Sequence, residues 1–149
     1  MRDPIEHDLL GKLLWEDSFK WYECSISILE EPISIHLSAD ESGAVEGSLA
    51  QAEIVVRKLV SSDASAKAFA VDKLLHLKND GWLGEDEDGE EEQPLNADQF
   101  RSRMCLTAVS FAQDGTSEWF YNDGDLFWGH TIVLTMDQSG QFHGANIAG

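Results

Sequence analysis

The sequence predicts a single α+β domain in which an antiparallel sheet carries two to three helices on one face. Near both ends of the chain, apolar residues alternate with polar ones, as in half-buried strands. In the middle they recur at three- and four-residue spacing, as on one face of a helix. The two kinds of segment occur in runs and do not alternate, which favours α+β. Because 149 residues suffice for one sizeable core, residues 1–149 are assigned to one domain.

An N-terminal hairpin is predicted from two alternating runs. Residues 1–17 are interpreted as a polar leading segment with a few apolar anchors. Residues 22–28 then alternate apolar and polar side chains, and residues 33–37 repeat the pattern after a break at Pro32. Both runs are rich in β-branched residues, which suit a pleated surface.

Two helices are predicted between the hairpin and residue 81. Apolar stripes run through residues 49–60 and 66–77, and Ser61-Ser62-Asp63 interrupts them with side chains able to cap the second helix. Lys73 falls on the second stripe, where its stem can lie along the apolar face. Gly81 is expected to end this helix.

A short third helix and a strand meander complete the predicted fold. Asn96 followed by Gln99 resembles a capping box, with Phe100 and Met104 facing inward after it. Turn signals such as Asp114-Gly115 then separate the predicted strands. The meander strands are residues 106–111, 117–121, 127–136 and 141–147.

The charge of the chain is strongly unbalanced. Twenty-eight acidic residues against ten Lys and Arg give a formal net charge of −18. Such a surface repels phosphate backbones and anionic lipids, so direct binding to nucleic acid or membranes is not expected. A basic protein partner is its natural complement. The plain alternative is a soluble protein that is simply acidic.

The compartment is expected to be the cytoplasm. The N-terminus is acidic and has no signal-peptide apolar region, and no apolar run approaches the length of a membrane span. Cys24 and Cys105 lie in apolar, strand-like runs, so two buried thiols are favoured over a disulfide.

An acidic surface loop is predicted at residues 84–94. Its carboxylates repel one another and stay solvated, so the loop is expected to be mobile. An EF-hand is rejected, because aligning Gly89 with the loop glycine puts Gly84 and Leu95 at the two anchoring positions. A loose cation site and a contact for a basic partner both remain open. The acidic residues of the loop are Glu85, Asp86, Glu87, Asp88, Glu90, Glu91 and Glu92.

A search for catalytic motifs finds one constellation. The sequence has no nucleophile elbow, phosphate-binding glycine loop, dinucleotide fingerprint or zinc-type spacing. Asp123, Asp125, His130 and His143 could hold a metal, or Asp125 could orient His130 as a general base. Turn chemistry alone explains the two acids, however, and this interpretation is favoured. Aromatic residues such as Trp128 are core or, where exposed, anchors for a protein.

The C-terminal segment carries a family resemblance. Residues 121–132 read Tyr-Asn-Asp-Gly-Asp-Leu-Phe-Trp-Gly-His-Thr-Ile, and residues 145–149 read Ala-Asn-Ile-Ala-Gly. With Leu-Gly-Lys-Leu at 10–13 and Phe-Lys-Trp-Tyr at 19–22, the chain resembles bacterial domain-of-unknown-function family 2262 over nearly its whole length. The resemblance implies the company of small, acidic, cytosolic immunity-type proteins encoded near toxins. It assigns no residue a role.

The sequence therefore predicts a non-enzymatic immunity protein that neutralises a basic toxin, such as a nuclease, by stoichiometric binding. No cofactor is expected. The alternatives are a small metal-dependent enzyme built on the Asp/His constellation and a non-enzymatic adaptor that pairs through a sheet edge. The predicted partner-binding residues are the seven acids of the loop together with Asp123, Asp125 and Trp128.

Overall fold

The computed structural model describes residues 2–85 and 88–149. In this part of the chain the strands and helices form the predicted α+β domain. Its elements are, in order, β1 (Ile5–His7), β2 (Gly11–Glu16), β3 (Trp21–Ile26), β4 (Ile33–Ser38), α1 (Glu46–Arg57), α2 (Leu59–Gly81), α3 (Ala97–Arg103), β5 (Cys105–Phe111), β6 (Ser117–Asn122), β7 (Thr131–Met136) and β8 (Phe142–Ala148).

The sheet follows the order of the chain from β1 to β8. The N-terminal hairpin and the C-terminal meander are antiparallel, as predicted. The pair β4–β5, which joins them, is parallel, with Ile35 opposite Val109. The helices α1 to α3 connect these two strands, and such a crossover returns the chain to the end at which β4 began. The sheet is therefore mixed at this one junction.

One face of the sheet is buried beneath the helices. Alternate residues such as Ile35, Val109, Trp119 and Leu134 are fully buried, which places them on one face of neighbouring strands. Helix α1 lies against β4 and β5, and α2 lies against β8. The prediction of helices on a single face is confirmed.

The N-terminal segment differs from its prediction. Residues expected to be a polar lead form β1 and β2, with Leu13 fully buried. Strand β1 has only three residues, and β2 (Gly-Lys-Leu-Leu-Trp-Glu) does not alternate cleanly. Both lie at the margin of the sheet, and segments so short or so irregular leave a weak alternating pattern.

The break between the long helices lies at Lys58, before the predicted capping residues. Ser62 and Asp63 are buried inside α2, so the predicted cap there is wrong. Asp63 instead accepts a hydrogen bond of 2.6 Å from the hydroxyl of Tyr121. Lys73 is about half exposed with its ammonium over the ring of Phe69, and Lys78 is the lysine that is fully buried.

The remaining local predictions are mixed. Asn96 and Gln99 form the predicted capping box at the start of α3. The predicted strand 127–136 begins only at Thr131, because the preceding residues form a loop. Cys24 and Cys105 are free thiols, but both are half-buried and not fully enclosed. None of the described helices combines the length and apolar character that crossing a bilayer requires.

Candidate functional site

The loop between β6 and β7 is organised around one buried carboxylate. Asp123 is 2% exposed. Its Oδ1 accepts the backbone N–H of Asp125 at 2.9 Å, and its Oδ2 accepts those of Phe127 at 2.8 Å and Gly129 at 3.1 Å. Three donors on one carboxylate fix the path of the loop. Asp123 therefore serves the turn and has no exposed carboxylate with which to meet a partner, contrary to the predicted role.

The same loop holds two non-glycine residues in the left-handed backbone region. Asp125 has φ 64° and Trp128 has φ 59°. Asp tolerates this region, but a bulky residue there is a clear outlier. The turn also needs glycine at position 124, because a Cβ there would lie 2.4 Å from the carbonyl oxygen of Arg103. The loop is thus closely packed against the end of α3 and still presents Trp128 to solvent, 61% exposed.

Trp128 lies over the chain that leaves α2. The centroids of its indole and that of Trp82 are 4.7 Å apart. A Cβ on Gly84 would lie 3.7 Å from Trp128 Nε1, so the backbone passes directly beside the indole. Trp82 in turn meets the rings of Phe127 and His130 edge-on at 5.4 Å. We call Trp82, Gly84, Glu85, Asp125 and Trp128 the Trp128 surface.

The acidic loop is pinned to the helices at its base. Lys78 is fully buried, and its Nζ lies 2.6 Å from both Glu92 Oε1 and the carbonyl oxygen of Trp82. The Glu92 carboxylate also accepts the N–H of Gly84 at 3.3 Å and a guanidinium N–H of Arg103 at 3.3 Å. The N–H of Glu92 donates to the carbonyl of Gly84 at 2.8 Å. The loop therefore begins and ends beside Trp128.

These contacts determine the charge state of Glu92. Burial opposes ionisation of its carboxyl, but the hydrogen bonds from Lys78 and Gly84 and the charges of Lys78 and Arg103 outweigh burial and lower its pKa. A carboxylate so fully used within the fold is a structural anchor. Its predicted role as a partner contact stays a prediction.

The other acids of the loop lie on the surface. Glu85 and Glu91 form an antiparallel bridge that continues the closure of the loop, and both are exposed. Asp88 and Glu90 are exposed as well. The predicted contacts Asp86 and Glu87 lie outside the described residues. Asp125 is exposed on the loop that carries Trp128. The structure thus brings the exposed tryptophan and the root of the acidic loop together.

The Asp/His constellation is not assembled. Asp123 is enclosed by backbone donors, and His130 Nδ1 donates to the carbonyl of Phe127 at 2.5 Å. His143 belongs to β8 beside Met136, whereas His130 precedes Thr131 at the other end of β7, about 17 Å away along the strand. Within the described residues, no three His, Cys, Asp or Glu side chains are placed to share a metal. The metal-enzyme alternative therefore lacks its geometry.

Two residues of the site were missed in the sequence. Lys78 continues the buried series Ala66, Ala70 and Leu74 at four-residue spacing, which is the signal that could have revealed it. Trp82 follows the end of α2 directly, where a hydrophobic residue often packs back on the fold.

The fold and this surface define a small α+β domain in which an exposed tryptophan lies beside exposed carboxylates. The model of the family described as "Uncharacterized protein conserved in bacteria (DUF2262)" matches residues 7–147, and the chain belongs to that family. No curated protein and no solved structure matches the chain.

Proposed function

We propose that this protein is a non-enzymatic immunity protein that binds a basic toxin, such as a nuclease, through the Trp128 surface and blocks it stoichiometrically. The observation that carries the proposal is the exposed indole of Trp128 on a left-handed backbone. The expected place of action is the cytoplasm, where a nuclease toxin meets its substrate.

Backbone strain at position 128 offsets part of the stability that the buried portion of the tryptophan supplies. A left-handed conformation costs a residue with a Cβ about 1–2 kcal/mol, and Gly or Asn would relieve most of that cost. The side chain is 61% exposed, so most of its apolar area contributes nothing to the core. Strained residues held in place by their surroundings are concentrated at functional sites. Tryptophan is also the residue type most enriched among the binding anchors of protein interfaces.

The carboxylates beside Trp128 define the chemistry of the partner. Glu85, Glu91 and Asp125 are exposed around the indole and the root of the loop, on a chain of net charge −18. Such a field accelerates encounter with a basic surface and repels an acidic one. A nuclease that binds phosphate backbones presents a basic surface of this kind. An inhibitor that covers it would compete with nucleic acid directly.

A non-enzymatic adaptor is the second candidate, and strand β8 is the observation that favours it. It forms one margin of the sheet, and its residues include no Lys, Arg, Asp or Glu that would discourage pairing with another strand. An adaptor of this kind would bind by strand addition at β8 and would not need Trp128.

Co-expression with the toxin encoded next to the gene tests the proposal. The wild-type chain should relieve toxicity and form a 1:1 complex. Trp128→Asn should weaken the complex by about 2 kcal/mol, which is roughly thirtyfold, because a central anchor is lost. Val60→Ser is the matched control, since Val60 is 63% exposed and lies on α2.

A pair of charge variants separates local from general electrostatics. Glu85→Gln/Glu91→Gln should slow association at low salt, whereas Glu41→Gln/Glu46→Gln removes the same charge from exposed positions near the start of α1 and should change it little. If no neighbouring gene product forms a complex or loses toxicity, the proposed function is wrong. If the complex forms and Trp128→Asn leaves it intact, the interface lies elsewhere and the adaptor mode at β8 is favoured.

A further inference from the structure

The face of the sheet opposite the helices carries an aromatic trough. The strand register aligns Glu23, His36, Ser110 and Glu118 in one row across β3, β4, β5 and β6. The next row contains Ala108 opposite Phe120. Small residues thus form the floor between aromatic walls, and the resulting open cavity has a volume of about 390 Å³.

The walls of the trough are built from stacked rings. Trp21 lies flat between two rings: the imidazole of His36, with centroids 4.1 Å apart and planes 2° from parallel, and the ring of Phe19, with centroids 4.6 Å apart. The Trp21 indole N–H donates to Glu23 at 3.1 Å, which fixes both the ring and the carboxylate. His36 Nδ1 lies 2.8 Å from Ser110 Oγ, within hydrogen-bond distance. Burial lowers the pKa of His36 despite the opposing charge of Glu23, so its ring is neutral near pH 7.

The charge of strands β3 to β8 has one sign. Strands β3 to β8, which are all described, contain no Lys or Arg, whereas Glu23 and Glu118 stand at the two ends of the row. The ten basic residues of the chain lie outside these strands, in the N-terminal segment, the helices and the connection at Lys58. An aromatic trough with a carboxylate at each end is complementary to a cation with a flat apolar face.

We propose that this trough is a second protein-binding site, which takes an extended arginine-bearing segment of a partner lying across the strands. One guanidinium plane stacks on Phe120 and pairs with Glu118, and the other guanidinium pairs with Glu23 at the edge of the Trp21 indole. The inference does not rest on the proposed function, because it concerns the opposite face of the sheet from the helices and a different set of residues.

The geometry also sets the spacing of the arginines. The backbones at Glu23 and Glu118 are three strand spacings apart, about 14 Å. Four residues of extended chain span about 13 Å. Two arginines at positions i and i+4 of an extended segment therefore reach both carboxylates, and two adjacent arginines do not.

Peptide titration tests the site directly. The probe is acetyl-Gly-Arg-Gly-Ser-Gly-Arg-Gly-amide at 150 mM salt, followed by the NMR shift of the Trp21 indole N–H, which the Trp21→Leu variant assigns. The same peptide with citrulline in place of both arginines removes only the charge. A third peptide of the same composition with adjacent arginines tests the spacing. We expect saturable shifts at Trp21 with the first peptide, several-fold weaker binding with the third, and no shift with citrulline.

Matched charge variants separate the trough from the general acidity of the chain. Glu23→Gln/Glu118→Gln should weaken binding about tenfold, because two ion pairs beside aromatic rings are lost. Glu41→Gln/Glu46→Gln removes equal charge elsewhere and should weaken it less than about twofold. The proposal is overturned if both double variants lose affinity equally, if the citrulline peptide binds as well, or if binding leaves the Trp21 signal unmoved.

Discussion

Replacing Lys78 with Met tests whether one buried ion pair holds the acidic loop against the fold. Lys78 is fully buried in α2, and Met matches its length and helix propensity without the ammonium group. The replacement leaves the Glu92 carboxylate and the Trp82 carbonyl without their donor at 2.6 Å. The experiment therefore removes one charge and changes little else.

The expected loss is about 3 kcal/mol. Breaking one partner of a buried ion pair costs roughly 3–5 kcal/mol. The lower end applies here, since the Glu92 side chain is 23% exposed and keeps its bonds from Arg103 and Gly84. For a domain of this size, about 3 kcal/mol corresponds to a fall in Tm of roughly 6–12 °C. The double variant Lys78→Met/Glu92→Gln should recover part of the loss, because no unpaired charge remains.

Urea unfolding followed by tryptophan fluorescence and circular dichroism measures these values. Lys73→Met is the matched control, because Lys73 is on the same helix and 53% exposed, and it should change the free energy of unfolding by less than about 0.5 kcal/mol. If Lys78→Met and Lys73→Met are equally stable, Glu92 does not depend on Lys78 and the reasoning about the loop base is refuted.

Three further predictions concern pH, strain and thiol reactivity. Because the fold lowers the pKa of Glu92, the ionised carboxylate stabilises the fold at pH values above its unfolded pKa of about 4.5, and this stabilisation is lost as the pH falls through the folded pKa. Unfolding curves measured from pH 7 to 3 should show the loss, and the Glu92→Gln variant should show a weaker pH dependence. Trp128→Asn loses the buried part of the side chain, roughly two fifths of ~250 Å², which contributes about 2.5 kcal/mol of burial free energy. The same change relieves about 1 kcal/mol of backbone strain. Thermal unfolding should therefore show a net loss of about 1–1.5 kcal/mol, and a loss above about 3 would make Trp128 a structural residue. Burial, aided by Glu23, raises the pKa of Cys24 to about 11, so iodoacetamide should modify it slowly at pH 7.5, and rapid modification detected by mass spectrometry would contradict this.

Local chemistry was predictable from the sequence wherever a few neighbouring residues decide the outcome. The Asn96–Gln99 capping box and the turn role of Asp123 depend on side chains bonding to backbone groups close by in the chain. Apolar residues with a period of two or of 3.6 likewise predicted the α+β class, because the buried face of a strand and that of a helix each require their own spacing of apolar residues.

Features that depend on distant partners were not predictable in this way. The four-residue spacing marks position 78 as buried, but its partner Glu92 lies fourteen residues away, and no local pattern predicts that the two side chains meet. The parallel β4–β5 pair is decided by the path of three helices. Similarly, Glu23 and Glu118 lie in one row only because four strands pair in this particular register. For the Trp128 surface, the sequence identified the tryptophan and the acidic residues as candidates, but it did not predict that they lie next to one another.

Hydrogen exchange on the free protein and on a complex with the proposed toxin partner tests the central claim most directly. Binding at the Trp128 surface should slow exchange of the backbone amides at 84–92 and 125–130. The amides at 40–46, at the start of α1, should be unaffected. Protection confined to β8, to the open face of the sheet or to the helices, with 125–130 unchanged, would contradict the account.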